Sequence, residues 1–535
     1  MHISQNVESL FPTGFTPREA QIIILRQIRE AINNGKKFII VQAPTGSGKS
    51  FISKTLANGC NDVDPIFERL VNSYDAYNMA NMPEVLATRP HGAFALTTTK
   101  QLQNQYVELF SDCKPLKGKV NYQCAVDTEF CVNLAPCTIA SSLKKECWNT
   151  NKCPYYNARN KALTGKFSVL NYSMFFSLPD CVKRRDIIIC DEASELESEL
   201  VNNFSCEIVY KKLAALKIDY PKLIDDNHEK AYAWLSNLFE VVEESLAANT
   251  KTRYINIKKW DTARQLVLTE MKEAIKRTLG TWSNVHYVIE RDGDQAKFIP
   301  FKVSPLAAEL FDHAEHYILM SATIVNPKNF AKSLGIKDYV YIEVPSAFES
   351  SKSPIYCSSK YPLSYAKMKE YLPKVIEQIV QLSKIHEGEK GIIHTHSFDI
   401  TQAVQRKLNG SRFLYREEGS TNEDIVKEHI MRKDATVLIS PSLTMGIDLV
   451  GDLGKWQVIV KLPYPPLGSK RIKMLFDEDK EWYTAQMLKG LIQASGRCTR
   501  TAEDVAVTYI LDGNIVRILK ENHDILPKHF LDRIV

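Results

Sequence analysis

No run of apolar residues in this 535-residue sequence approaches the roughly 20 needed to cross a bilayer as a helix. The opening Met-His-Ile-Ser-Gln-Asn lacks the basic patch and apolar stretch of a secretory leader. Neither a membrane protein nor a secreted one is expected, and an intracellular, reducing location is. A surplus of one charge is also missing: 68 Lys and Arg against 63 Asp and Glu leave +5, so a polyanionic partner would have to be met by a local patch. In a reducing compartment the 12 cysteines are not expected to pair. Yet six crowd between Cys113 and Cys153, and no two of them have the short Cys-x-x-Cys spacing usual for zinc. Hydrophobic residues at 44% and charged residues at 24% are ordinary for a globular protein. The length is too great for one core and predicts roughly three or four domains.

A glycine is absent where the phosphate-loop pattern G-x-x-x-x-G-K-[ST] begins. Ala43 stands there, and the rest follows as Pro44, Thr45, Gly46, Ser47, Gly48, Lys49 and Ser50. The apolar stretch Lys36 to Val41 reads as a strand entering the loop, and Ser50 to Asn58 as a helix leaving it, which is the context the pattern needs. Glycines let backbone N–H groups from Ala43 to Gly48 point into one cavity, and the helix N-terminus adds partial positive charge. Lys49 would reach the terminal phosphates of ATP and Ser50 a magnesium ion. Upstream, Phe15 to Asn33 reads as a helix capped by Thr16, with Pro17 at its first position. Arg18 and Gln21 then lie just ahead of the loop, where a glutamine can read an adenine edge.

The second half of a nucleotide site follows. Asp186 to Cys190 is a buried strand delivering Asp191, Glu192, Ala193 and Ser194 at its end. Asp191 would hold the magnesium, and Glu192 would orient and deprotonate the attacking water. The plainer alternative is a pair of acids in the first turn of a helix. Gly92 to Thr97 is another strand, and the polar run Thr98 to Gln105 starts a helix that can bind polynucleotide phosphates. Residues 201–304 carry helical periodicity and few glycines, so a mainly helical insert is expected there. His316 to Met320 is a strand ending in Ser321-Ala322-Thr323, whose hydroxyls could touch the acid pair. Pro345 to Phe348 reads as a crossover into a second α/β unit, with strands at Gly391–Ser397, Ala435–Ser440, Gln457–Leu462 and Ala506–Leu511. The fold class is α/β with two parallel sheets and a ligand crevice at their strand ends. Gln493, Arg497 and Arg500 sit at one helix end of the second unit. From there they can reach a nucleotide held by the first.

These motifs, in this order, resemble the XPD/DinG branch of superfamily-two DNA helicases. The resemblance rests on Ala43–Ser50, Thr97–Gln105, Asp191–Ser194, Ser321–Thr323, Gly446–Asp448, Lys461–Pro466 and Gln493–Arg500. Lys117 to Cys124 and Cys153 to Tyr156 are its most specific pieces, resembling the two ends of that branch's iron–sulfur insert. It implies two RecA-like parallel-sheet motor domains, with an iron–sulfur insert and a helical arch insert in the first. The first motor would comprise residues 1–112, 154–200 and 305–345, the iron–sulfur insert 113–153, the arch 201–304 and the second motor 346–535. It further implies ATP, Mg2+ and a [4Fe-4S] cluster as cofactors, and Asp448 at the nucleotide. Single-stranded and forked duplex DNA would be the partners of a monomeric motor moving 5′ to 3′, in the cytoplasm with the nucleoid, or in a nucleus. Ser194 departs from the branch, where many relatives carry His, and the length leaves no room for an added nuclease domain.

Four thiolates are needed for such a cluster. Cys124, Cys137, Cys147 and Cys153, separated by 12, 9 and 5 residues, are the expected set, with Cys131 as a substitute for Cys137 and Cys113 as a packed thiol. Structural zinc and unliganded thiols remain alternatives. Around them Lys114, Lys117, Lys119, Lys144, Lys145 and Lys152 outnumber Asp127, Glu129 and Glu146, and Tyr122, Phe130, Trp148, Tyr155 and Tyr156 interleave, a composition suited to single strands. A helicase is thus weighed against an ATP-driven translocase or nucleoprotein remodeller that separates no strands, and against a binding module using ATP as a switch. Intact Lys49, Asp191, Glu192, Arg497 and Arg500 argue against the last.

Overall fold

Strands buried on both faces read as unbroken apolar runs, and this chain has such runs in two sets. The computed structural model describes the chain outside residues 1–5, 45, 74–78, 80–81, 89–90, 141–142, 145–146, 148–151, 251–258, 346–348, 358, 417–420, 442–448, 450 and 500–502. Thr45, the Ser346–Phe348 part of the expected crossover, Asp448 and Arg500 therefore lie outside the described residues.

The first sheet takes β1 (Phe38–Gln42), β2 (Ala93–Thr97), β3 (Lys114–Leu116), β4 (Phe167–Asn171) and β5 (Arg185–Asp191). A small antiparallel sheet interrupts it with β6 (Cys206–Val209), β7 (Tyr287–Arg291) and β8 (Gln295–Pro300), in the order β6-β8-β7. The first sheet resumes with β9 (Ala314–Ser321) and β10 (Val340–Glu343). Its order is β10-β1-β9-β5-β2-β4-β3, parallel throughout. Alternate residues feed a core on each face: Ile40 and Ile188 go to one, Ile39, Val41, Ile187 and Ile189 to the other. The second sheet is parallel as well. It is built from β11 (Ile355–Tyr356), β12 (Gly391–His394), β13 (Phe413–Tyr415), β14 (Val437–Ser440), β15 (Trp456–Ile459) and β16 (Val507–Ile510). Its order is β11-β16-β15-β12-β14-β13.

Three sequence expectations are corrected here. Residues 201–304 do hold two long packed helices, His228–Thr250 and Lys259–Thr281, but β6, β7 and β8 lie there too. The β7–β8 hairpin turns at Asp292-Gly293-Asp294, where Asp292 N donates to Gln295 O at 3.0 Å, and β8 alternates half-buried and buried residues. That Asp-Gly turn and period of two are local strand signals, which the helical periodicity around them masked. Second, β3 begins one residue after Cys113 and pairs with β4, so the first sheet's edge extends into the expected 113–153 insert. Third, the helix before the phosphate loop is Glu19–Asn33, with Arg18 and not Thr16 at its N-cap. Gln21 Oε1 accepts from Arg18 N at 2.9 Å, and this bond sets the start.

Candidate active site and cysteine pocket

Register fixes which loops meet. Gln42 pairs with Ser321 and Asp191 with Met320, so the ends of β1, β9 and β5 open on one edge of the sheet. The loop leaving β1 needs its glycines: Gly46 has φ 77° and Gly48 φ 78°, and Gly48 caps the helix Lys49–Asn58. A Cβ on Gly48 would meet Gln21 Nε2 at 2.3 Å. Gln21 Nε2 donates to Ser47 O at 3.1 Å and Gly48 O at 3.3 Å, and Arg18 Nη1 donates to Gly46 O at 2.7 Å. Both ends of the Gln21 amide are thus engaged within the protein, so it braces the loop.

Lys49 Nζ lies 3.7 Å from Glu192 Oε1, an ion pair between the loop and the end of β5. Asp191 is almost wholly buried. Burial pushes its carboxyl up to about 6, with the Lys49 ammonium opposing and Glu192 adding to the rise. Two donors hold it: Tyr106 OH to Oδ2 at 3.0 Å and Glu192 N to Oδ1 at 3.0 Å. Glu192 has φ 53°, the left-handed region, which turns its side chain back toward the loop lysine. Ser321 Oγ donates to Ser194 Oγ at 2.9 Å, and Thr323 Oγ1 to Ser194 Oγ at 3.3 Å. Ser321 Oγ also lies 3.4 Å from Glu192 Oε2, so the Ser-Ala-Thr hydroxyls do meet the acid segment.

From the second sheet's side, the helix Lys480–Ser495 crosses to this edge. Gln493 Nε2 donates to Glu195 Oε1 at 2.7 Å and lies 3.4 Å from Thr323 Oγ1. Lys489 Nζ donates to Ser194 O at 3.1 Å. The helix ends at Ser495, so Arg497 stands past its C-cap Gly496, buried beside His394. Gln493 is therefore brought to the acids, while Arg497 is packed within the second unit. Tyr106, Glu195 and Lys489 were not anticipated; none belongs to a spacing motif, and only the fold brings them in. The same holds for a cross-domain clasp at Glu197. Its carboxylate accepts from Arg471 Nη2 at 2.9 Å, Trp482 Nε1 at 2.9 Å and Gln486 Nε2 at 3.4 Å.

The cysteines separate into two groups. Cys124, Cys137, Cys147 and Cys153 line one small pocket together with Val132, Ala135 and Pro154. Burial, and then the neighbouring Cys147, Cys124 and Cys153, push the Cys137 thiol up to about 11. Cys131 is not among the lining residues and sits instead on an isolated bridge opposite Gln123. Cys113 packs in the first sheet's core, with its thiol pushed up to about 12 mainly by burial. Among the described residues no three Cys, His, Asp or Glu side chains converge on a single-ion site. Several aromatics of this segment meet edge to face, with Tyr155 5.6 Å from Tyr122 and 5.5 Å from Tyr156, and the Arg159 guanidinium lies 4.8 Å over Tyr156.

A family model described as a helicase C-terminal domain matches residues 379–531, and one described as the res subunit of type III restriction enzymes matches residues 14–71. The chain is 23% identical to a probable ATP-dependent helicase of Methanocaldococcus jannaschii, over 95% of both chains. It is 22% identical to the ATP-dependent DNA helicase XPD of Sulfolobus acidocaldarius, over 89% of this chain and 92% of that one. A solved XPD helicase superposes with a TM-score of 0.63 at 18% identity, covering 95% of this chain and 98% of its own. Xpd4 of S. tokodaii does so with 0.53 at 14%, covering 97% and 99%. At these identities the structural likeness establishes the fold.

Proposed function

We propose that this XPD-like member of helicase superfamily two is an ATP-dependent DNA helicase, moving 5′ to 3′ on single-stranded DNA and opening forked duplexes as a monomer. The observation that carries the reading is the edge where Lys49 meets Glu192 while Gln493 and Lys489 reach across from the second sheet. Lys49 and the loop amides would bind the phosphates, and Ser50 and Asp191 would hold magnesium. When bound, that ion neutralises charge on the phosphate oxygens. Glu192 then takes a proton from water as its oxygen bonds to the terminal phosphorus and the bond to the bridging oxygen breaks. Gln493 answers to Glu195 in the segment that carries the base, so a change at the phosphates is felt in the second motor. Arg497, Arg500 and Asp448 would complete the site on closure. Arginine suits that role because it stays charged and spreads charge over the phosphoryl oxygens.

The four-thiol pocket supports a [4Fe-4S] cluster with Cys124, Cys137, Cys147 and Cys153 as ligands, tying the loops of the insert together. Such a cross-linked insert would act as a rigid wedge at the fork. Among the described residues no helix is long and apolar enough to cross a membrane. The test is strand displacement on forked DNA offering one tail at a time, beside ATP turnover. Only the substrate with a 5′ tail should open. Lys49→Ala should lose turnover, and Glu192→Gln should bind ATP without turning it over. Retained turnover in Glu192→Gln would overturn the assignment of the base, and turnover without displacement would reduce the protein to a translocase.

A further inference from the structure

Tyr106 is wholly buried in the helix Lys100–Leu109, and its ring packs against Phe167 and Phe110 with centroids 6.0 and 6.5 Å away. Apolar packing alone would be met by phenylalanine. The hydroxyl has other work: it donates to Asp191 Oδ2 at 3.0 Å and lies 3.0 Å from Ser53 Oγ. Ser53 Oγ in turn lies 3.1 Å from Lys49 O, and the Ser50 side chain is a further neighbour of the phenol. The phenol has one proton, and the carboxylate is the stronger acceptor, so that proton goes to Asp191, while the Ser53 proton lies between the Lys49 carbonyl and the phenol oxygen. One buried hydroxyl thereby joins the strand that ends in Asp191 to the helix that begins with Lys49 and Ser50.

We infer that Tyr106 is a positioning residue which holds Asp191 in place for magnesium. This rests on the proposed ATPase reading of Asp191 and Ser50. No covalent step is involved. The phenol fixes the second oxygen of a carboxylate whose first is held by Glu192 N, so the rotation of the group is set from both sides. Outer partners of a metal ligand act in this way, and their loss commonly weakens metal binding by about 10-fold or more.

The experiment uses the full chain and Tyr106→Phe, which keeps the ring and removes only the hydroxyl. The quantity read is the Mg2+ concentration that half-saturates binding of a fluorescent ADP analogue. This midpoint should rise about 10-fold. A residue that merely supports the fold would lower the melting temperature and leave the midpoint in place. Ser53→Ala, which removes the phenol's second neighbour, should shift the midpoint in the same direction by less, and it carries the test if Tyr106→Phe fails to fold. A wild-type Mg2+ midpoint in the folded variant overturns the inference. Asp191→Asn separates the two levels. If it binds the analogue with wild-type Mg2+ dependence, the reading of the site has failed; if it loses that dependence while Tyr106→Phe does not, only the role of Tyr106 has.

Discussion

His394, at the end of β12, is fully buried, with the Gln457 side chain as its polar neighbour. Burial, then His396 and Arg497, push it down to about 3; burial and Lys461 push His396 down to about 4. Both are therefore neutral in the folded state, whereas unfolded histidine titrates near ~6.5. Above pH 7 the two states bind the same protons and these residues leave stability flat. As pH falls below that unfolded value, the unfolded chain takes up protons that the folded one refuses, and stability drops. For His394 alone the loss between pH 7 and pH 5 is on the order of 2 kcal/mol. Urea midpoints of the wild type and of His394→Gln at those two pH values should show the variant losing less; equal losses would mean that the ring is not kept neutral by its surroundings. None of this was visible in the sequence, where His394 and His396 were two polar residues in a strand edge. Their burial is a property of the fold around them.

At the scale of elements, the cysteine insert gives the sharpest expectation. Cys137 lines the four-thiol pocket and Cys131 does not. Cys137→Ser should therefore lose most of the iron from anaerobically purified protein, and Cys131→Ser should retain it; iron and zinc content per chain is the measurement. The reverse pattern would move the fourth ligand, and stoichiometric zinc in place of iron would remove the cluster. The sequence had narrowed this choice to two residues and could go no further, because 12 intervening residues leave the loop's path open. The motor strands were far more legible. β1, β5, β9 and β12 are short apolar runs ending in polar motifs, and each pattern is local. What was lost lay where local signals competed. β8 sits between helices of strong periodicity, and the start of the first helix was decided by the Gln21 side chain and not by the Thr16-Pro17 signature. The partnerships of Tyr106, Glu195 and Glu197 join residues far apart in sequence, so no window of sequence could contain them.

At the scale of the whole molecule, Glu197 ties the two halves together. Three donors converge on one carboxylate, and the Arg471 guanidinium, also bonded to Pro300 O at 2.7 Å, is buried. Removing one partner of a buried pair costs roughly 3–5 kcal/mol, so Glu197→Ala should uncouple the second motor. Calorimetry should then resolve a separate, earlier transition for residues 379–531, the stretch matched as a helicase C-terminal domain. A single transition at the wild-type temperature would show that the clasp contributes nothing to their association. The strand order has a consequence for how the molecule comes into being. β1 has β9 and β10 as its neighbours, and Lys36 and His316, bonded beside that pairing, are 280 positions apart. On a ribosome adding about 5–20 residues per second, the Phe-Ile-Ile-Val strand therefore waits tens of seconds with both edges open. Through that interval an apolar strand with unpaired backbone groups on both sides is open to other chains, which makes it a natural client for a chaperone.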